Sequence, residues 1–263
     1  MKHCPRHRVR PPSTARRAWL ALVACVLAPA VHAVEAKVAV AANFAEVMAA
    51  LAPAFAEVSG HTLVTSSGST GKLYAQVRNG APFDVLLAAD QARPARLEAE
   101  GDGIAGTRFT YALGQLVLWS ADDALLAGAA PAVIASPAVR HLAIANPALA
   151  PYGAAARQAL ARLGLGAAVA GRLVTAQNVG EVYALVASGA AEAGFVARSA
   201  LDGPGRSPSG SRWSVPAELH EPIRQDAVLL RHGAGNAAAR AFLDYLRSAP
   251  ARVLIRRYGY RTE

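Results

Sequence analysis

Apolar and polar positions switch repeatedly between two periods along the chain. Lys37 to Ala42 (KVAVAA) reads as a short buried strand. Beyond it Phe44, Val47, Met48, Leu51 and Phe55 recur at helical spacing, and Asn43 with Glu46 three residues on has the form of a capping box. Pro53 inside this pattern predicts a kink or a split, and Gly60 predicts the stop. A strand near Thr62 to Ser66 follows, then a Gly/Ser turn over Ser67 to Gly71, a helix from Lys72 to about Arg78, and a break at Asn79-Gly80. Phe83 to Ala88 is a continuous apolar strand, Asp90 a candidate cap, and Ala92 to Glu100 a helix that Pro94 should break early. This alternation predicts a parallel α/β sheet.

The second half repeats the theme. Tyr111 to Ser120 predicts one long apolar strand, followed by a Gly/Ala/Pro-rich passage from Ala127 to Pro137. Strands are expected at His141 to Ala145, Arg172 to Ala176, Ala193 to Ala197 and Ile223 to Leu230, and helices at Tyr152 to Leu163 and Glu181 to Ala187. Pro147 to Pro151 bounds a loop, and Gly203 to Gly210 predicts a flexible one. The chain closes with an amphipathic helix, Asn236 to Arg247, and a basic one near Val253 to Tyr258. No repeat of fixed period is present, which argues against a solenoid. Two α/β lobes are the natural reading, with Tyr111 to Ser120 and Ile223 to Leu230 as the segments that cross between them.

Composition narrows the class. With 263 residues, 53% hydrophobic and 17% charged, the chain is too apolar for disorder and large enough to bury its own core. The net charge of +9 first suggests a nucleic-acid partner. Lys2, Arg6, Arg8, Arg10, Arg16 and Arg17, however, all lie in the first 33 residues, where no acidic residue occurs. Behind them runs the apolar stretch Ala18 to Ala30, then Val31-His32-Ala33 with small residues at the positions a signal peptidase reads. Residues 1–33 therefore read as a secretory signal peptide, and the remainder is close to neutral, which removes the argument for nucleic acid. Both cysteines, Cys4 and Cys25, fall in that leader, so the mature chain has no thiolate to hold a metal or act as nucleophile. Leu22-Val23-Ala24-Cys25 also resembles a lipoprotein box, in which Cys25 would be lipidated, and Arg16-Arg17 offers a poor twin-arginine match.

Candidate chemistry centres on Gly68-Ser69-Thr70-Gly71-Lys72. A phosphate-binding P-loop needs glycine where Ser66 stands and a hydroxyl residue where Leu73 stands, and a hydrolase elbow needs a glycine two before Ser69. Small residues at a helix start remain, able to turn N–H and O–H donors on an oxyanion. Similar strand-to-helix junctions occur at Asn43, at Pro151-Tyr152-Gly153 and at Asn178-Val179-Gly180, each at the carboxyl edge of a sheet where open α/β folds bind ligands. Each alone is also an ordinary helix cap. His61, His141, His220 and His232 show no metal-ligand spacing, and Asp84 and Asp90 read as a strand-end residue and a cap.

At these junctions the sequence resembles the periplasmic substrate-binding proteins of molybdate ABC transporters. The resemblance runs in order through VAVAANF, SSGSTGKLYAQVRNGAPFDVLLAAD, GTRFTYALGQLVLWS, IANPALAPYGAAARQAL, QNVGEVYALVASGAAEAGFVA and FLDYLRSAPARVLIRRYGY. It implies a periplasmic-binding-protein type II-like fold: two α/β lobes joined by two crossover strands, with a ligand cleft between them. Lobe 1 is expected to comprise residues 34–115 plus 229–263, and lobe 2 residues 116–228. The family's oxyanion contacts fall on Ala42 and Asn43, on Ser69 and Thr70, on Tyr152 and on the backbone N–H of Val179. The tyrosine that one branch uses is Ala197 here. The resemblance implies a periplasmic, monomeric protein that is not an enzyme, needs no cofactor or cationic metal, binds molybdate or tungstate and serves a membrane permease. The rivals are the same fold with sulfate, phosphate or an organic anion, and a secreted hydrolase using Ser69.

Overall fold

The computed structural model describes residues 1–3, 33–127, 130–206 and 209–263. Nearly all of the expected signal peptide, with Cys25 and Arg16-Arg17, lies outside the described residues, as do two positions of the 203–210 loop. Among the described residues no helix is long and apolar enough to cross a membrane.

Two five-stranded sheets organise residues 33 to 263. The first is built from β1 (Glu35–Ala41), β2 (Thr62–Gly68), β3 (Val85–Leu87), β4 (Phe109–Gly114) and, returning late in the chain, β10 (Ile223–Leu229). Their order is β2-β1-β3-β10-β4, with β1, β2 and β3 parallel and β10 antiparallel to both its neighbours. The second sheet holds β5 (Leu116–Ser120), β6 (Leu142–Ala145), β7 (Leu173–Ala176), β8 (Ala193–Ala197) and β9 (Ser211–Ser214), in the order β7-β6-β8-β5-β9. Here β6, β7 and β8 are parallel, and β5 runs antiparallel to β8 and β9. Both sheets are thus mixed, because the two crossing segments supply antiparallel strands.

The continuous apolar strands follow from burial on both faces. Val38, Val40, Val85, Leu87, Ala227 and Leu229 face one core with Phe44, Phe55 and Phe242, whereas Ala39, Leu86, Ala88, Val228 and Leu230 face another with Leu73 and Leu97. The first core is covered by α1 (Ala45–Ser59), the second by α2 (Thr70–Arg78) and α3 (Ala92–Glu100). On the second sheet, α4 (Ala130–Ala135), α5 (Pro151–Arg162), α6 (Gly166–Val169), α7 (Val179–Ala187) and α8 (Ser199–Asp202) surround a core of Leu118, Ile144, Leu160, Val182 and Phe195. The chain ends in α9 (Ala237–Arg247) and α10 (Ala249–Arg257), packed back on the first sheet.

Several expectations change. The long strand Tyr111 to Ser120 is two strands, divided at Gln115, where the chain leaves the first sheet for the second. All of β10 pairs in the first sheet, so the lobe boundary expected at residues 228 and 229 cuts through that strand. Pro53 sits inside an unbroken α1, on its exposed side, and Pro94 lies in the first turn of α3, where a missing N–H costs nothing. The passage Ala127 to Pro137 contains α4, and β9 and α6 lacked a readable period. Asn43 does not cap α1: it lies within a 3-10 turn (Ala42–Phe44) entered from Ala41.

Candidate functional site

Four strands of the two lobes end at one place. β1 runs out at Ala41 into the 3-10 turn, β2 at Gly68 into α2, β6 through the 146–150 loop into α5, and β7 through Gln177 and Asn178 into α7. Their exits enclose a cavity of about 10 Å³ lined by Ala41, Ala42, Asn43, Gly68, Ser69, Thr70, Ala89, Ala150, Pro151, Tyr152, Asn178 and Val179. All six residues singled out in the sequence therefore line a single cavity. No lining side chain carries a charge.

The lobes meet around this cavity. Gly71 donates its N–H to the Leu149 carbonyl at 2.8 Å, and Arg93, held by Asp90 at 2.5 Å, donates to the Ala148 carbonyl at 2.8 Å. Ser199 donates from Oγ to the Asn43 carbonyl at 3.0 Å, and Arg206 pairs with Glu46. Ala197 borders a neighbouring hollow of about 100 Å³ with Asn43, Val179 and Tyr183.

Donors collect here because helix starts leave N–H groups without intrahelical partners. At α7 the side chain of Asn178 caps the N–H groups of Gly180 and Glu181 at 2.9 and 3.1 Å, which leaves the first N–H, that of Val179, uncapped. At α5 the cap is Ala150, which has no polar side chain, and Pro151 has no N–H, so Tyr152 is the first donor. At α2 the cap residue Ser69 makes no side-chain capping bond, although serine is among the best caps. Elsewhere Asn236 and Ser248 do accept from the starts of α9 and α10. Thr70 is buried, and its Oγ1 accepts the Ala89 N–H at 3.0 Å, which leaves its proton to be donated. Lys72 is exposed.

Beneath the cavity lies a buried polar network that the sequence analysis missed. The Asn43 amide donates to Gln225 Oε1 at 2.8 Å and to the Tyr260 hydroxyl at 2.9 Å. Tyr260 donates in turn to the Asn43 carbonyl at 2.7 Å. Tyr111 reaches the Ala88 carbonyl and Gln225 Oε1, both at 3.1 Å, and Gln225 Nε2 donates to the Tyr152 hydroxyl at 3.2 Å. The side-chain Nδ2 of Asn43 is thus engaged within the protein rather than spent on the cavity. Burial raises Tyr111 and Tyr152 well above the ordinary tyrosine value and pushes Tyr260 up to about 12, so all three keep their protons at neutral pH. One signal in the sequence could have pointed here: Arg224, Gln225 and Asp226 are consecutive polar residues inside the crossing strand expected at Ile223 to Leu230, and polar groups that such a strand buries demand partners. Nothing in the sequence marked Tyr260 or Ser199.

Among the described residues no cluster of histidine and carboxylate side chains could hold a metal ion. His232 meets Asp84 at 2.8 Å, and Asp84 also accepts the Lys37 N–H, so both serve the first sheet. What the cavity offers is a lining without charged side chains, set at helix starts.

Comparison with known proteins follows the same line. Residues 36–261 match the model of a family described as bacterial extracellular solute-binding protein. The molybdate-binding protein ModA of Azotobacter vinelandii is 50% identical over 244 residues, covering 93% of this chain and 96% of that one. The molybdate-binding protein ModA of Rhodobacter capsulatus is 44% identical, covering 93% and 94%. A solved structure of the Azotobacter vinelandii periplasmic molybdate-binding protein superposes with a TM-score of 0.83 at 41% identity, covering 87% of this chain and 99% of that one.

Proposed function

The chain belongs to the bacterial extracellular solute-binding protein family, and we infer from that membership and from its cavity that it captures molybdate or tungstate and delivers it to a membrane ABC permease. The observation that carries this reading is the uncharged cavity between helix starts, with Ser69 at a cap position and its hydroxyl unspent on its own helix. A tetrahedral dianion has lone pairs in every direction and needs donors on all sides. Ala42, Asn43, Ser69, Thr70, Tyr152 and Val179 supply them from both lobes. Each charge-assisted bond contributes on the order of 1.5 to 3 kcal/mol, and the helix dipoles add to it. No countercharge is required.

The same residues argue against a hydrolase. Ser69 would need a base, and neither histidine nor carboxylate lines the cavity among the described residues. Binding and release, without a chemical step, suits a protein whose two lobes close on each other around an uncharged cavity. Because the cavity has room for roughly one water-sized sphere, the lobes must part to admit an anion and close again on it. The protein acts as a monomer with no cofactor. It reaches the periplasm through the leader, cleaved after Ala33 to begin at Val34. Intact mass tests the last point, since a chain beginning at a lipidated Cys25 would overturn it.

The functional reading is tested by thermal unfolding with molybdate, tungstate, sulfate and phosphate side by side. Ligand at 100 times its dissociation constant adds about 2.7 kcal/mol. Molybdate and tungstate are expected to raise the midpoint, and sulfate and phosphate to leave it nearly unchanged. Equal shifts with sulfate and molybdate would overturn the assignment to molybdate.

A further inference from the structure

Gly114 is the last residue of β4, one position before the chain leaves the first sheet. Its φ is not in the left-handed region, so backbone conformation does not demand glycine there. Space does. A Cβ at this position would overlap the Tyr152 hydroxyl and lie 2.7 Å from Gln225 Nε2 and 2.9 Å from Tyr152 Cζ. Glycine within a strand is often the mark of such a close approach.

Gln225 forms the other wall. It stands beside a register shift in the pairing of β10 with β4, between Gln225 and Asp226, and both side chains are wholly buried. A bulge of this kind re-aims side chains. Asp226 turns to Arg108 and Thr110, each at 2.7 Å. Gln225 turns to the hinge, the crossing between the two sheets beside Gly114, where Nε2 donates to the Tyr152 hydroxyl and Oε1 accepts from Asn43 and Tyr111.

We propose that Gly114 and Gln225 form a socket at the base of the hinge that receives the Tyr152 hydroxyl, and that its seating sets how tightly the cleft closes on the anion. This rests on the anion-binding reading above. Tyr152 comes from the second lobe and opens α5, so where its phenol docks fixes where the first N–H donor of that helix stands. The same Gln225 amide holds Asn43, from the first lobe. The two halves of the cradle are thereby referred to one side chain. The contacts of Gly71 with Leu149 and of Arg93 with Ala148 close the rim, and the socket aligns the base. Gly114 and Gln225 are positioning residues, since neither lines the anion cavity.

The test is a pair of double-mutant cycles read by calorimetry with molybdate, with small-angle scattering of the anion-free proteins. Gly114→Ala is expected to weaken binding about 100-fold in the wild-type background but only about tenfold once Tyr152→Phe has removed the oxygen in its way. Gln225→Met is expected to cost about tenfold alone and clearly less beside Tyr152→Phe, where only its bonds to Asn43 and Tyr111 remain to be lost. The anion-free Gly114→Ala protein should have a larger radius of gyration than wild type. Equal losses in both backgrounds, or an unchanged radius, would overturn the socket. If Gly114→Ala does not fold, the Gln225→Met cycle decides the same coupling. A wild-type protein that ignores molybdate would overturn the functional reading, and the scattering comparison would still decide the socket.

Discussion

Ser69 and Thr70 stand side by side at the start of α2, and the structure separates their roles. Ser69→Ala removes a hydroxyl that makes no capping bond, so it is expected to weaken molybdate binding by about 1 to 3 kcal/mol while leaving the unfolding midpoint of the anion-free protein nearly unchanged. Thr70→Val also strips the Ala89 N–H of its acceptor inside a buried site, so both binding and stability should fall, and Thr70→Ser should restore both. Lys72→Ala, by contrast, removes an exposed ammonium whose effect on binding should stay below about 1 kcal/mol. Calorimetry and thermal unfolding on the four variants check the set. A larger loss from Lys72→Ala than from Ser69→Ala would mean that the anion is held by charge.

At the scale of the element, α1 carries a proline that its packing tolerates. Pro53 lies on the exposed side of a 15-residue helix whose other face, Val47, Met48, Leu51 and Phe55, is buried against the first sheet. That burial contributes enough to hold the helix continuous where propensity alone would break it. Pro53→Ala restores an N–H to the ladder and is expected to stabilise the protein by about 1 to 3 kcal/mol, read as a higher midpoint in urea. A lower midpoint would show that the helix relies on the fixed backbone angle of the ring.

At the scale of the whole molecule, the contact between the lobes and the neutrality of the cavity each set a prediction. Gly71→Ala would place a Cβ 3.0 Å from the Leu149 Cα and carbonyl oxygen, which cannot retreat as a side-chain tip can. It is expected to hold the rim open and to speed anion release in stopped-flow displacement, with little change in the anion-free midpoint. The neutral character of the site predicts its pH response. The buried tyrosines beneath it have folded-state values raised above 10, Tyr260 to about 12, so the stability they lend is intact below pH 10 and is lost as pH rises from about 10 to 12. Molybdate affinity should accordingly be flat from about pH 6 to 9. A fall within that window would require a titrating group at the cavity.

The sequence by itself determined the alternation of strands and helices, the two-lobed reading and the four junctions at Asn43, Ser69-Thr70, Tyr152 and Val179. These are local signals: a switch of period from strand to helix, small residues at a turn, a proline or asparagine at a helix start. Tertiary structure decided what local signals cannot carry. The break at Gln115 is a change of sheet inside one run of strand-forming residues, invisible because the residues on either side of it suit a strand equally well. Asn43 has the residue type and spacing of a cap, yet Gln225 and Tyr260, more than 180 positions away, turn its amide inward. Gly114 looks like an unremarkable strand glycine until Tyr152 arrives from the other lobe. Such contacts depend on partners brought together only by folding, and no period or spacing within one stretch of chain encodes which group will fill the space another leaves.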